Sequence, residues 1–376
     1  MKKLLFGLIA ISFMLFSSCN KGGGDKLLIG EFGSLTGTEA TFGISSSNGL
    51  KLAMEEVNKS GGLLNKQIEI ITYDDQGKPS EAATVVQKLI TKDRVVAIIG
   101  EVASSRSMAG AGICQQNKIP MVSPASTNPE VTLIGDYIFR VCFIDPFQAT
   151  VLSKFAVNTL KVKRVAVLKD VKNAYSTGLA DFFIKEFKAM GGEVIEVQSY
   201  QNGDKDFKAQ LTAIKAKNPE AIFIPGYYTE VGLIAIQARE IGITQPLFGG
   251  DGWESEKLTE GKAKDALEGC FFSTHVSAEN PDPGIQNFIK KYQEKYNMMP
   301  DAMSFLAYDA GMILFDAIKR AGSTDANKIR EELAKTKEFQ GVTGKITINE
   351  QRNAIKPAVI LEIKNGHFKF KETVAP

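Results

Sequence analysis

Residues 95–105 read Val95-Val96-Ala97-Ile98-Ile99-Gly100-Glu101-Val102-Ala103-Ser104-Ser105, an apolar run that stops at a glycine and passes through a short loop into a helix-period segment at 107–117. A β-branched run this short, apolar on both faces, reads as a buried strand of a parallel sheet. Outward from it the pattern repeats. Strands are expected at Leu27–Gly33, 68–73 and 120–123. Segment 46–59 places Leu50, Ala53, Met54 and Val57 on one helical stripe that ends at Gly61-Gly62, and a second helix is expected over 79–91. One lobe is wound by Ser123.

A second series follows, with strands expected at 164–168, 193–197, 221–225 and 246–250, and amphipathic helices after Ser176, Asp204 and Tyr228. Extended apolar stretches at 137–145, stopped by Asp145-Pro146, and at 270–276 read as passages from one lobe to the other. The last third brings long helices at 285–296 and 304–321, then strands at 344–349 and 358–364 of antiparallel character. The expected fold class is α/β, two doubly wound parallel-sheet lobes joined by a three-strand hinge with crossings near 145, 275 and 350. This divides the chain into a first lobe of 26–144 and 276–350 and a second of 145–275 and 351–376.

The 376 residues suit two domains, and 44% hydrophobic with 23% charged residues is a globular composition. Without Lys2 and Lys3 the basic and acidic residues balance, so no nucleic-acid surface is implied. With His275 and His367 the only histidines, a His-rich metal site is excluded and a Ser-His-Asp triad would have to use one of them. No GxxxxGK[ST], GxGxxG or GxSxG spacing occurs, which weighs against nucleotide chemistry and against a hydrolase. Neither catalysis, a cofactor nor a metal is expected.

Met1-Lys2-Lys3, the apolar run 4–16 and Ser17-Ser18-Cys19 form a secretory leader, expected to be removed as 1–18. The arrangement resembles a bacterial lipobox, with Cys19 acylated and 19–25 a flexible polar linker to the membrane. An ordinary signal peptide with Cys19 as a bystander is the other reading. Of Cys114, Cys142 and Cys270, one pair plus a free thiol is compatible with export, but no spacing selects a pair.

Loops after strands are where open α/β sheets bind ligands. Ser104 offers a hydroxyl beside free N–H groups at a helix start, suited to a carboxylate, or else it only caps the helix. Ser123-Pro124-Ala125-Ser126-Thr127-Asn128-Pro129 is hydroxyl-rich and held extended by its prolines, again as binding loop or as cap. In the second series, Tyr227 and Tyr228 give apolar walls with polar tips, or one of them is core. Asp251, between Gly250 and Gly252 at a strand end, can pair with an ammonium or merely form a turn. One lobe offers hydroxyls and amides, the other a carboxylate and aromatics. A zwitterion with an apolar tail fits between them.

These segments together resemble a known family. Gly33-Ser34-Leu35-Thr36-Gly37 with Phe42-Gly43, Ile99-Gly100 through Ser104-Ser105, Ser123 to Thr127, Phe139-Arg140 before Asp145, Tyr175 before Gly178, Gly226-Tyr227-Tyr228 and Gly250-Asp251-Gly252 follow one another as in type I periplasmic binding proteins. The group resembled is the leucine/isoleucine/valine-binding one that feeds branched-chain amino-acid ABC importers. The resemblance implies that Ser104 and Thr127 hold the ligand carboxylate, with backbone contacts from Ala125. It implies that Thr127 and Asp251 hold the ammonium, that Tyr175 and Tyr227 or Tyr228 close over the ligand, and that Phe42 lines the side-chain pocket with Val102 and Ala103. Two departures stand out: Asp251 replaces a glutamate frequent in the group, and Phe42 stands where a tyrosine or tryptophan occurs.

The implied function is an extracytoplasmic, lipid-anchored solute-binding lipoprotein of the periplasm or cell envelope, monomeric, that passes a small amino acid to an inner-membrane ABC permease. The alternative is a sensor of the same fold for amides or small aromatic acids.

Overall fold

The structure, a computed structural model, describes residues 26–375. The expected leader, Cys19 and the 19–25 linker lie outside the described residues.

The first five strands are β1 (Leu27–Gly33), β2 (Ile68–Asp74), β3 (Ala97–Ile99), β4 (Met121–Ser123) and β5 (Ile138–Arg140), all parallel in the order β2-β1-β3-β4-β5. The next five are β6 (Arg164–Asp170), β7 (Glu193–Tyr200), β8 (Ala221–Phe223), β9 (Leu247–Gly249) and β10 (Cys270–Thr274). They lie in the order β7-β6-β8-β9-β10, the first sheet's order over again. The doubling read along the chain is thus a doubling of winding, and it places the strand C-termini of both sheets toward the gap between the lobes.

The later strands serve two places. β11 (Phe339–Gly341), β12 (Gly344–Ile348) and β13 (Ala354–Ile355) make a small antiparallel sheet, while β14 (Ala358–Lys364) and β15 (His367–Val374) extend the second sheet antiparallel to β10. Because β13 still pairs with β12, the third passage between lobes falls at Lys356-Pro357, a few residues after the expected 350. The other two passages follow β5 and β10.

The long helices Ala40–Lys59 and Ala302–Ala321 pack on each other against the first sheet, and Gly49 permits it: a Cβ there would lie 2.0 Å from the Ser304 carbonyl oxygen. Cys114, Cys142 and Cys270 are all buried free thiols, so the disulfide left open by the sequence does not form among the described residues. Burial pushes the Cys142 thiol up to about 12. No described helix is long and apolar enough to cross a membrane.

Candidate functional site

The lobes are shut. Across the gap Thr41 N–H donates to the Tyr228 hydroxyl at 3.3 Å, Thr229 Oγ1 to the Thr38 carbonyl at 2.7 Å and Asn202 Nδ2 to Glu39 at 3.1 Å. Nearer the hinge, Ala174 N–H donates to Ser105 Oγ at 3.0 Å and Asn128 Nδ2 to the Ala174 carbonyl at 2.8 Å. All eight residues expected to line the ligand site are buried in this seam: Phe42, Ser104, Ala125, Thr127, Tyr175, Tyr227, Tyr228 and Asp251.

On the first-lobe side, Ser104 opens the helix Ser104–Gln116, and its Oγ accepts the Asn128 N–H at 3.2 Å, which leaves its own O–H free to donate. The loop carrying Ala125 and Thr127 is stapled from beneath. Ser123 Oγ donates to the Glu101 carbonyl at 2.7 Å, and Ser126 Oγ shares a 2.6 Å bond with Ser107. Arg140, fully buried, donates from Nη1 to the Ser126 carbonyl at 2.5 Å and from Nη2 to the Pro129 carbonyl at 3.2 Å. A guanidinium has several fixed donors, so one side chain satisfies carbonyls that a loop cannot pair by itself.

On the second-lobe side, Asn173 caps the helix Ala174–Ala189 by accepting the Tyr175 N–H at 2.9 Å, and the Tyr175 hydroxyl accepts the Gly252 N–H at 3.1 Å. Tyr175 and Tyr227 stack with centroids 5.2 Å apart, and Phe42 meets Tyr227 and Tyr228 edge-on at 5.7 and 5.0 Å. The two adjacent tyrosines therefore divide their tasks: Tyr227 joins the inner aromatic wall, while Tyr228 bonds Thr41 across the lobes. Gly43 sets Phe42 here, since a Cβ on it would stand 2.1 Å from the Ser34 carbonyl oxygen.

Asp251 is the centre of a polar cluster that the sequence only partly announced. Its Oδ1 accepts from Gln148 Nε2 at 2.9 Å, its N–H donates to Gln148 Oε1 at 2.9 Å, and His275 Nε2 lies 3.2 Å from its Oδ2. A carboxylate can only accept, so Nε2 is the nitrogen from which His275 donates to an ionised Asp251, and Nδ1 is buried without a partner. Burial holds His275 below its ordinary value, and its ring stacks on Phe143 at 3.9 Å. Gln148 Nε2 also reaches Asp145 Oδ1 at 3.3 Å. Asp145 is fully buried with Oδ2 unpartnered; burial first, then the charge of Asp251, pushes its carboxyl well above the usual range, against a hydrogen bond from Thr127. Gly250 admits this arrangement, because a Cβ there would lie 2.4 Å from both Gln148 Oε1 and the Tyr175 hydroxyl.

The structure thus brings the hydroxyls of Ser104 and Thr127, the four aromatic rings and Asp251 into one seam. Sequence reasoning passed over Asp145, Gln148 and Arg140 as site residues. Asp145 carried a signal, an acid ending an extended run at a crossing; Gln148, one turn into the next helix, carried none. His275, weighed for a triad, pairs with Asp251, but the nearby Ser273 hydroxyl donates to Gln148 Oε1 at 2.7 Å instead of meeting the imidazole.

At the outer edge of the seam a second buried cluster ties the first lobe together. Arg106 meets Glu39 at 3.2 Å and Glu101 at 3.1 Å, and Ser34 Oγ donates to Asp75 at 2.9 Å. Burial, then the Glu101 charge, pushes the Asp75 carboxyl up to about 7. On the flank toward the second hinge passage the lobes stand apart around a cavity of about 650 Å³, with Thr41, Met298 and Asp301 on the first-lobe side and Glu254 and Lys257 on the second.

A family model described as periplasmic binding protein matches residues 26–367. A Leu/Ile/Val-binding protein of Rhizobium johnstonii is 32% identical over 326 residues, covering 86% of this chain and 88% of the relative. Among solved structures, a leucine binding protein from Thermotoga maritima is 42% identical with a TM-score of 0.88, covering 93% of this chain and 99% of that one. A branched-chain amino acid transporter substrate binding protein from Streptococcus pneumoniae, in complex with isoleucine, is 33% identical with a TM-score of 0.88, covering 94% and 100%.

Proposed function

The chain belongs to the periplasmic binding protein family, and from that premise we propose that it captures a small apolar amino acid, branched-chain or similar, between its lobes and delivers it to an ABC importer. The family binds solutes outside the cytoplasm; we read this member as a carrier without catalytic activity. The observation that carries the reading is Asp251, a carboxylate buried across a closed seam from the Ser104 hydroxyl, with Tyr175, Tyr227 and Phe42 walled beside it.

In this reading Ser104 donates its free O–H to the ligand carboxylate and Ala125 offers backbone groups. Thr127, whose carbonyl accepts the Asp145 N–H at 2.9 Å, offers its hydroxyl oxygen to the ammonium, which Asp251 neutralises. A charged ammonium is accepted in so dry a place only against a carboxylate held by other donors, which Gln148 and His275 supply. The aromatic wall takes the apolar tail. Ligand that touches both lobes only when they are shut shifts the hinge equilibrium toward closure. We further read residues 1–18 as a removed leader, Cys19 as the acylated first residue and 19–25 as the leash of a monomer on the envelope membrane, with the lobes joined at three passages.

Calorimetry of the purified protein against a panel of amino acids tests the assignment. Leucine, isoleucine or valine is expected to bind with micromolar or tighter affinity, about −8 kcal/mol or better. A panel in which only aromatic acids or amides give heat overturns it.

A further inference from the structure

Three consecutive residues of the second hinge passage each bond a different part of the ligand-side machinery. Ser273 Oγ donates to Gln148 Oε1 at 2.7 Å, Thr274 Oγ1 donates to the Glu254 carboxylate, and His275 Nε2 meets Asp251 Oδ2 at 3.2 Å. Asp251 and Glu254 stand at the two ends of a single short turn, closed by the Glu254 N–H donating to the Asp251 carbonyl at 3.1 Å. The indole of Trp253 anchors that turn through a 2.8 Å bond to the Ile224 carbonyl. Turn and passage form one rigid block.

Glu254 belongs to the second lobe, yet its Oε1 accepts the N–H of Ala302 at 2.7 Å. Ala302 is the first residue of the helix Ala302–Ala321, which packs along the Ala40–Lys59 helix of the first lobe. The opening N–H groups of a helix have no partner inside it, and a carboxylate is favoured there by the helix dipole. Here that partner comes from the opposite lobe. Around it the lobes stand apart across the cavity of about 650 Å³, so closure on this flank depends on few bonds, this one and a 3.1 Å contact between the Thr41 and Ser255 hydroxyls among them.

We propose that Glu254 is an inter-lobe latch, a positioning residue whose carboxylate caps the first-lobe helix only when the lobes are shut and which Thr274 and the Asp251 turn hold in register. Ligand charge gathered at Asp251 and closure at Ala302 then act through the same block. The proposal rests on the reading of Asp251 as the partner of the ligand ammonium. Glu254 itself touches no ligand in this account. Its carboxyl, pushed up to about 8 by burial and then by the nearby Asp301, sits in a place that costs free energy unless both oxygens are bonded, as they are.

The test uses leucine as the probe, followed by stopped-flow fluorescence and by small-angle scattering with and without it. Glu254→Ala is expected to raise the leucine dissociation rate roughly 10- to 100-fold, the scale of a buried helix N–H left without its partner, while the association rate stays within about threefold. Glu254→Gln, whose amide oxygen still accepts from Ala302, is expected to fall between Glu254→Ala and wild type. If Glu254→Ala does not fold, Thr274→Val, which keeps the carboxylate but frees it to swing, carries the same expectation at smaller size. Dissociation from Glu254→Ala at the wild-type rate overturns the latch, as does an association rate that falls as much as dissociation rises. If wild type neither binds leucine nor compacts with it, the amino-acid reading fails. The latch is then decided by scattering without leucine, where Glu254→Ala must be more open than wild type and matching profiles overturn it.

Discussion

Asp251 is accompanied by more hydrogen-bonding than a turn-forming aspartate needs. Gln148 both donates to its carboxylate and accepts from its N–H, and His275 bonds the other oxygen. A carboxylate so furnished and so buried is prepared for a cation. Asp251→Ala is therefore expected to weaken leucine binding by roughly 3–5 kcal/mol, because the ligand ammonium would be left buried without its partner. Its thermal unfolding is expected to stay close to wild type, since removing an acid from a dry site also removes the cost of keeping it there. Calorimetry beside a melting curve checks both, and retained affinity removes Asp251 from the site. A subtler expectation concerns His275. Replacing it with Asn keeps a donor for Asp251 Oδ2 but loses the stack on Phe143, so affinity should fall by no more than about tenfold, against a larger loss in His275→Ala. Equal losses in the two variants contradict a role through the hydrogen bond.

At the scale of elements, the loop 123–129 shows how a site is fixed by what lies under it. Ala125 and Thr127 face the seam, but the loop's shape is held by Ser123, Ser126 and the guanidinium of Arg140 on β5. Arg140→Ala leaves the buried carbonyls of Ser126 and Pro129 with only the weak donors Cys142 Sγ at 3.4 Å and Thr132 Oγ1 at 3.5 Å, and is expected to destabilise the protein by about 3–5 kcal/mol in denaturant titration, with ligand affinity falling alongside. Full stability in that variant would mean the loop needs no support. The strand and helix pattern was legible because burial on both faces of a parallel sheet writes itself as short apolar runs, as in Val95 to Gly100, and helices keep a stripe such as Leu50, Ala53, Met54 and Val57. The third hinge passage lies a few residues beyond 350 because Ala354–Ile355 stays in antiparallel register with β12, a pairing that two residues leave no mark of in the sequence. Ser104, Thr127, Tyr227 and Asp251 were readable since each follows a strand end. Gln148 and Glu254 were not: one lies inside a helix and the other acts on a residue far along the chain, and neither relation leaves a local spacing.

Over the whole molecule, the interior holds more acids than its neutral net charge would suggest. Glu31, Asp75 and Asp301 are buried within the first lobe, and burial is the leading cause that raises all three, Asp75 to about 7 and Asp301 to about 6. In the unfolded chain they titrate near 4. Between that value and their folded ones the unfolded state has shed protons that the folded state keeps, so stability is full below about pH 4 for these groups and drains away as pH rises through 6 and 7. Two sets of groups oppose this. Asp74, Asp136, Glu220, Glu279 and Glu332 are held below their ordinary values, and their contribution is lost only as pH falls below the carboxylate range. His275, lowered by burial, disfavours the fold as pH falls below about 6.5, while Lys356, lowered to about 8, is charged in both states until pH approaches 8, where its loss of a proton in the folded state begins to oppose the fall as well. Asp145, Asp170, Glu230, Glu254 and Asp309 are raised by burial in the same way, and these acids against one histidine set the sign: the ligand-free protein is expected to melt roughly 5 °C higher at pH 5 than at pH 8. Asp75→Asn makes permanent the neutral state that burial favours and should flatten that dependence while raising the melting temperature at pH 8. A melting temperature that climbs from pH 5 to pH 8, or a slope untouched in Asp75→Asn, would place the governing protons elsewhere in the chain.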